Sequence, residues 1–479
     1  MSRVLEGLKP ERVFYNFEEI SKIPRGSTNE KAISDYIVNW AEERGFKSYQ
    51  DDVHNVVVYK EGTKGYENAP TVVLQGHLDM VCEKNEDSAH DFMTDPIKLE
   101  VRDDFIYADG TTLGGDNGVA IAMTMAILES EDIHHPPIEV LLTSDEETGM
   151  TGAMNLDPSV IDGRILLNLD SEGEGVFTTG CAGGVTVNFH GNVERRKSRY
   201  SKKYQIVIKG LKGGHSGADI HLDRINANKL MGRVINRIKD IVDVESINGG
   251  TADNAIPREA FAAVATDDAE RLHAAIQESE NIFENEYVFS DPGVQVEIKE
   301  LADKPGNVFT DRFLESYLSL INLVPYGPLK INKEIDLVIQ SNNPGVIKIE
   351  DDKMTIKCAA RSSIESLTDD FVDKMVQLGS LTDFVVETKA FYPGWEYAKE
   401  SYIRDVSTKV FRKEYGKNPQ VMAIHAGLEC GFFLKKIPDM DAISIGPDMY
   451  DIHTPEEHLS ISSTERTFNL VKAILKDIK

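Results

Sequence analysis

The run Ile138–Thr143, "IEVLLT", is continuously apolar but for one glutamate, and it breaks off into "SDEETGMTGA", where the glycines at 149 and 152 end any regular element. Length and β-branched content predict a buried strand. The same reasoning predicts strands at "NVVVYK" (55–60), "TVVLQGH" (71–77) and "RILLNLD" (164–170). Helical spacing marks "NEKAISDYIVNWAEERGF" (29–46), with Ser27, Thr28 or Asn29 as its N-cap, and the small-residue stretch "NGVAIAMTMAILES" (117–130). Helices alternating with continuous apolar strands predict an α/β fold, a largely parallel sheet covered by helices.

The pattern changes near Gly191. The basic stretch "ERRKSRYSKK" (194–203) predicts an exposed crossing loop, and two α+β stretches follow. The first holds strands at 204–211 and 259–266 with helices at 226–242 and 268–287. The second holds strands at 336–341, 354–363 and 384–391 with a helix at 368–380. After "YPGW" the α/β style returns, with a helix at 401–416, a strand at 441–446 and a C-terminal helix. The expected organisation is a catalytic domain in two parts, 1–185 and 396–479, split by an inserted α+β domain, 186–395.

Charge then removes some functions. A formal net charge of -28 repels a polyanion, so nucleic-acid binding is excluded as an expectation. No apolar run is long enough to cross a bilayer, and the first residues lack a signal-peptide core, so no membrane partner and a cytoplasmic location are expected. The four cysteines, Cys82, Cys181, Cys358 and Cys430, form no CxxC pair, which suits a reducing compartment.

Chemistry-bearing residues gather at the ends of these elements. His77 and Asp79 follow a strand, Asp116 opens a helix, Glu146 and Glu147 end the next strand, Asp170 ends another, and His453 lies beyond the last. Singly, each has an ordinary reading: a surface histidine, an N-cap, a turn former, a solvated pair. Together they are hard carboxylates mixed with imidazoles where open α/β sheets bind ligands, and this donor set suits zinc, with cobalt or manganese as substitutes. Two histidines and three carboxylates exceed one tetrahedral ion but suffice for two sharing a carboxylate. On an extended segment, the adjacent Glu146 and Glu147 would point opposite ways and do different work.

The motifs "GHLDMV", "GGDNGVA", "SDEETGMTGA", "LNLDSE", "GGHSGADIH" and "IHTPEEH" resemble the M20 metallopeptidases, and with the long insert, "HAGLECG" and "SIGP" they resemble its aminoacyl-histidine (Xaa-His) dipeptidase branch. Asp223 departs from that pattern, standing near where a glycine is expected. The resemblance implies two zinc ions per chain bridged by Asp116, with His77 and Asp170 completing one site and Glu147 and His453 the other. It implies Asp79 orienting His77, Glu146 as general base, and a cis Asp116–Asn117 peptide. His215 would serve the oxyanion from the partner subunit of a homodimer joined through the inserted domain. Asn254 and Arg361 would meet the substrate, Arg361 at its carboxylate, and Glu429 would take the substrate amine. The implied activity is hydrolysis of Xaa-His dipeptides. A broader di- or tripeptidase or an N-acyl amino acid hydrolase keeps the chemistry. A non-catalytic metal-binding scaffold would have no use for Glu146.

Overall fold

The computed structural model describes residues 3–333 and 337–479. Asp336, the first residue of the strand expected at 336–341, lies outside them. The chain forms two compact units: Met1–Gly180 with Tyr397–Ala423 and Glu429–Lys479, and Cys181–Glu396 with Ile424–Leu428.

The first unit is built on an eight-stranded sheet in the order Lys47–Gln50, Val56–Lys60, Ile138–Thr143, Val72–His77, Ile165–Asn168, Asp441–Ser444, Val176–Cys181, Gln420–Ile424. Its middle four strands run parallel, from Ile138–Thr143 to Asp441–Ser444. Those strands are the apolar runs, buried on both faces as a parallel sheet requires: every residue of Val72–His77 and Ile138–Thr143 is buried. Gly115–Glu129 is helical except at Asp116 and Asn117 and is buried on nearly every side, which is why its sequence carries no polar stripe. Parallel pairing puts the C-terminal ends of Val72–His77, Ile138–Thr143 and Ile165–Asn168 side by side, and the candidate residues follow those ends.

Among the described residues the second unit is built on an antiparallel sheet of nine strands, with two short strand pairs beside it. The expected pair of α+β stretches does not separate. Lys203–Lys209, Ala260–Ala265 and Asp243–Gly249 continue into Leu337–Glu350, Lys353–Ser362, Gly183–Asn192 and Val385–Tyr392, joined where Gly249 pairs with Ile347. Strict alternation of burial along Lys203–Lys209 shows that one face carries the core, which helices Ala227–Ile238, Ala269–Glu286, Asp311–Leu323 and Glu365–Leu381 cover. The basic stretch is not a free loop. Arg195–Lys197 pairs with Asn307–Phe309, and Arg196 and Arg199 both close on the buried carboxylate of Asp243. Asp223 is left-handed, with φ 54°, so aspartate here adopts the conformation a glycine would supply.

Candidate metal centre and anion-binding cluster

In the first unit, two imidazoles converge on one carboxylate. His77, the last residue of its strand and 1% exposed, places Nε2 3.1 Å from Asp116 Oδ1 and 3.3 Å from Asp170 Oδ1. His453, at φ 61° on the loop after Met449–Tyr450, places Nε2 3.4 Å from Asp116 Oδ2 and 3.0 Å from Glu147. Asp116 therefore gives one oxygen to each histidine. The Asp116–Asn117 peptide is cis. Asn117 is buried; its side chain accepts from the His77 amide and donates to the Leu169 carbonyl.

Glu146 and Glu147 do not part by strand alternation. The strand stops at Thr143, Asp145 turns left-handed at φ 52°, and both glutamates sit in the short helix Glu146–Gly149. That turn is pinned from below by Asp79, whose Oδ1 accepts from the Glu146 amide at 3.0 Å and Oδ2 from the Glu147 amide at 3.2 Å. Asp79 Oδ1 also lies 3.3 Å from His77 Nδ1, so this fully buried carboxylate braces three candidate residues. Ser27 is not a helix cap, because its hydroxyl donates to Asp79 at 2.8 Å. The residue preceding helix Lys31–Glu43 is Glu30, whose carboxylate accepts from the Thr28 and Asp145 amides instead of capping the helix.

Electrostatics follow from crowding. Burial alone would raise Asp116, but hydrogen bonds from His453 and His77 outweigh it and hold its carboxyl below the usual range. Burial pushes Asp170 up to about 6, with His77 opposing and Asp116 and Glu147 adding repulsion. Burial raises Glu146 well above an ordinary glutamate; His77 opposes this, while Asp170, Glu429 and Glu147 reinforce it. Hydrogen bonds to Asp116 and Glu147 lift His453 to about 10. Glu172 is exposed, and the neighbouring carboxylates of Asp116 and Asp170 raise its carboxyl above the ordinary glutamate range.

These residues fit metal. His77, Asp116 and Asp170 form one group whose donor atoms lie within 4.8 Å of one another, and Asp116, Glu147 and His453 form another, so Asp116 belongs to both. Two ligands at about 2.0–2.1 Å from a tetrahedral ion stand about 3.3 Å apart, and the nitrogen–oxygen separations above run from 3.0 to 3.4 Å. Carboxylates outnumber imidazoles, an excess of negative charge that divalent cations offset.

Glu429 lies in the same unit and is fully buried. Its Oε2 accepts from Gln75 Nε2 and Thr143 Oγ1, both at 2.6 Å, and its Oε1 has no partner among the described residues. Burial pushes it up to about 8, against the Thr143 hydrogen bond.

His215, Asn254 and Arg361 belong to the second unit. Nδ1 of His215 accepts from the amides of Gly217 and Ala218 at 3.3 and 3.0 Å, so a neutral ring carries its proton on Nε2. Burial and the Arg361 charge lower this histidine, favouring that neutral form. Nε2 stands 3.5 Å from Arg361 Nη2, which in the Nε2–H tautomer puts two donors side by side. Arg361 Nη1 donates to the Tyr392 hydroxyl at 2.8 Å, while its buried Nε has no partner among the described residues. A Cβ on Gly217 would come within 2.3 Å of the His425 carbonyl and 3.2 Å of Arg361 Nε, so only glycine fits between them. His425, pushed down to about 3 by burial and Arg361, pairs with Ser341 at 2.7 Å. Asn254 is exposed; its carbonyl accepts from the Ser216 amide at 2.7 Å, which fixes the residue after His215. Tyr392 and Ser341 gave no signal in the sequence, and His425 only opened the motif "HAGLECG" with no role attached, since only the fold brings them to Arg361.

Comparison with known proteins supplies the family. The sequence profile of peptidase family M20/M25/M40 matches residues 73–477. The chain is 39% identical over 482 residues to the cytosol non-specific dipeptidase of Escherichia coli K12, covering 99% of both proteins. Its fold superposes on the crystal structure of aminoacylhistidine dipeptidase from Vibrio alginolyticus with a TM-score of 0.93 at 38% identity, over 99% of this chain and 98% of that one. Aminopeptidase PepT from Bacillus cereus shares the fold at a TM-score of 0.57 and 17% identity, over 98% and 99% of the two chains. The chain belongs to peptidase family M20/M25/M40 and is a metallopeptidase of that family.

Proposed function

We propose that the protein is a dipeptidase that uses two divalent metal ions, zinc by preference, to hydrolyse small peptides with a free C-terminal carboxylate. The observation that supports this most directly is Asp116, with one oxygen toward His77 and the other toward His453, and Glu146 in the adjoining turn. His77, Asp116 and Asp170 would hold one ion and Asp116, Glu147 and His453 the other. Bound divalent metal supplies Lewis acidity that makes water a nucleophile at neutral pH. Glu146 takes the water's proton and delivers it to the leaving amine nitrogen. Asp79 keeps His77 and the Glu146 turn in register.

In the 186–395 lid domain, the Nε2–H of His215 donates to the oxyanion that develops on the scissile carbonyl, and Arg361 pairs with the substrate carboxylate. Asn254 adds a contact to the substrate, and the partnerless Oε1 of Glu429 is the acceptor offered to the substrate amine. We assign His215 to the partner subunit's reaction in a homodimer joined through the lid domain, in the cytoplasm.

Two relatives frame the substrate question, since one is named for non-specific and one for aminoacylhistidine dipeptides. Xaa-His dipeptides are the proposed preference. A panel of dipeptides, tripeptides and N-acyl amino acids, assayed for released amino acid with and without a chelator, tests the reading. Chelator-sensitive release fastest from Xaa-His supports it. Equal rates across dipeptides would replace the histidine preference with a broad one, and chelator-insensitive hydrolysis would overturn the metal assignment.

A further inference from the structure

Two buried charges outside the candidate ligand set hold the loops that carry it. Glu457 is 3% exposed and lies four residues after His453. Its carboxylate accepts from the amides of Leu113, Gly114 and Asp116 at 2.8, 3.0 and 3.2 Å. Arg25, also 3% exposed, donates from Nη1 to the carbonyls of Leu78 and Asp79 at 3.0 and 2.7 Å and from Nη2 to the carbonyl of Gly114. Gly114 thus gives its amide to Glu457 and its carbonyl to Arg25. It sits at φ 68°, and a Cβ there would stand 2.5 Å from Arg25 Nη2, so the loop has been shaped around the guanidinium.

A glutamate buried against three backbone amides with no side-chain cation among its hydrogen bonds is costly unless geometry demands it. Here it joins the segment that presents Asp116 to the segment that presents His453, while Arg25 joins the Asp116 segment to the one that presents His77 and Asp79. His453 stands 3.4 Å from Asp116 and is nearly half exposed, so apart from its contact with Glu147 its place depends on the segment that carries it. We propose that Glu457, assisted by Arg25, is a positioning residue that fixes the separation of Asp116 and His453 and so sets the affinity for the ion those two share. This rests on the two-ion reading above.

The test is metal affinity of the purified, metal-loaded protein by competition with a chromogenic zinc chelator, alongside kcat, KM and Tm. Glu457→Gln should weaken one of the two ions by about 10–100-fold, the usual effect of losing a group that orients a ligand, and lower kcat with KM little changed. Glu457→Asp, which keeps the charge one methylene short, should fall between, and it carries the test alone if Glu457→Gln does not fold. Asp104→Asn is the control. Asp104 accepts from Ser460 and Ser462 at the start of helix Ile461–Asp477, so its loss should lower Tm without moving either ion's affinity. Wild-type protein that binds two ions, with Glu457 variants that bind both within twofold of it, overturns the inference. Wild-type protein that binds no ion overturns the two-ion reading instead.

Discussion

The two clusters are incomplete in opposite senses. In the first unit, Asp79, Asp116, Glu146, Glu147 and Asp170 face two imidazoles, and acceptors exceed donors. In the second, His215 Nε2 and Arg361 Nη2 stand side by side, and Arg361 Nε has no acceptor among the described residues. A third group shows what completion looks like. Asp243 takes both Arg196 and Arg199, Asp311 adds a second carboxylate to the pair, and two charges of each sign meet within the protein. Buried polar groups are ordinarily satisfied, so a shortage of cations in one place and of anions in another points to what is meant to arrive. On the function proposed above, cations would fill the first and a carboxylate or oxyanion the second.

The sharpest way to break this contrast is within the first cluster. Glu146→Gln should retain both ions and lose about 10²–10⁴ in kcat, since an amide cannot take the water's proton. Glu147→Gln should instead lower ion occupancy measured by elemental analysis. Identical behaviour of the two would erase the distinction between a ligand and a base. In the second cluster, His215→Ala should lose about 10²–10³ in kcat with both ions in place. Mixed with Glu146→Gln protein under conditions where subunits exchange, it should regain part of its activity, because one site in each heterodimer would be intact. Demonstrated exchange with no recovery would return His215 to its own subunit.

The donor-poor cluster was legible in the sequence and the donor-rich one only in fragments, for a physical reason. His77, Asp116, Asp170 and Glu147 each close an apolar strand or open a helix, and parallel pairing aligns such ends automatically. His215, Arg361, His425 and Tyr392 come from distant segments of an antiparallel sheet, where no local rule says which residues meet. Only family motifs marked His215 and Arg361. Periodicity also misled at Glu146, because the left-handed Asp145 ends the strand before alternation applies. The joining of the two α+β stretches could not be read either, since the seam at Gly249 and Ile347 has no sequence signature.

Arg361→Lys sharpens the second cluster by an intermediate amount. Lysine keeps the charge but not the planar fork that reaches Tyr392 and a carboxylate together. A charge-assisted hydrogen bond contributes about 1.5–3 kcal/mol, so KM should rise about 10–100-fold with kcat less affected. C-terminally amidated dipeptides should show no such difference between wild type and variant. A kcat loss as large as that of His215→Ala would place Arg361 at the reacting carbonyl instead.

The smallest effect is expected where the charges are already matched. Asp243 accepts from Arg196 Nη2 at 2.7 Å, from Arg199 Nη2 at 2.6 Å and from the Arg199 amide at 2.7 Å. Burial would raise its carboxyl, but the Arg196 and Arg199 bonds outweigh that and bring it to about 2, from an ordinary 3.8. A depressed folded-state pKa means the unfolded chain takes up the proton first as pH falls. The stabilisation is therefore complete above pH 3.8 and is lost as pH drops through about 2. Its size is about 1–2 kcal/mol after allowance for solvent screening, because the arginines are 26% and 52% exposed. Asp243→Asn keeps the shape and removes the titration. Urea unfolding of both full-length proteins should show a stability gap that is constant from pH 7 to pH 5 and narrows steadily toward pH 2. Loss of metal at acid pH affects both proteins alike and cancels in the difference. A gap that stays constant down to pH 2 would mean that Asp243 is held by shape rather than by charge, and the closed network would no longer serve as the reference for the two open ones.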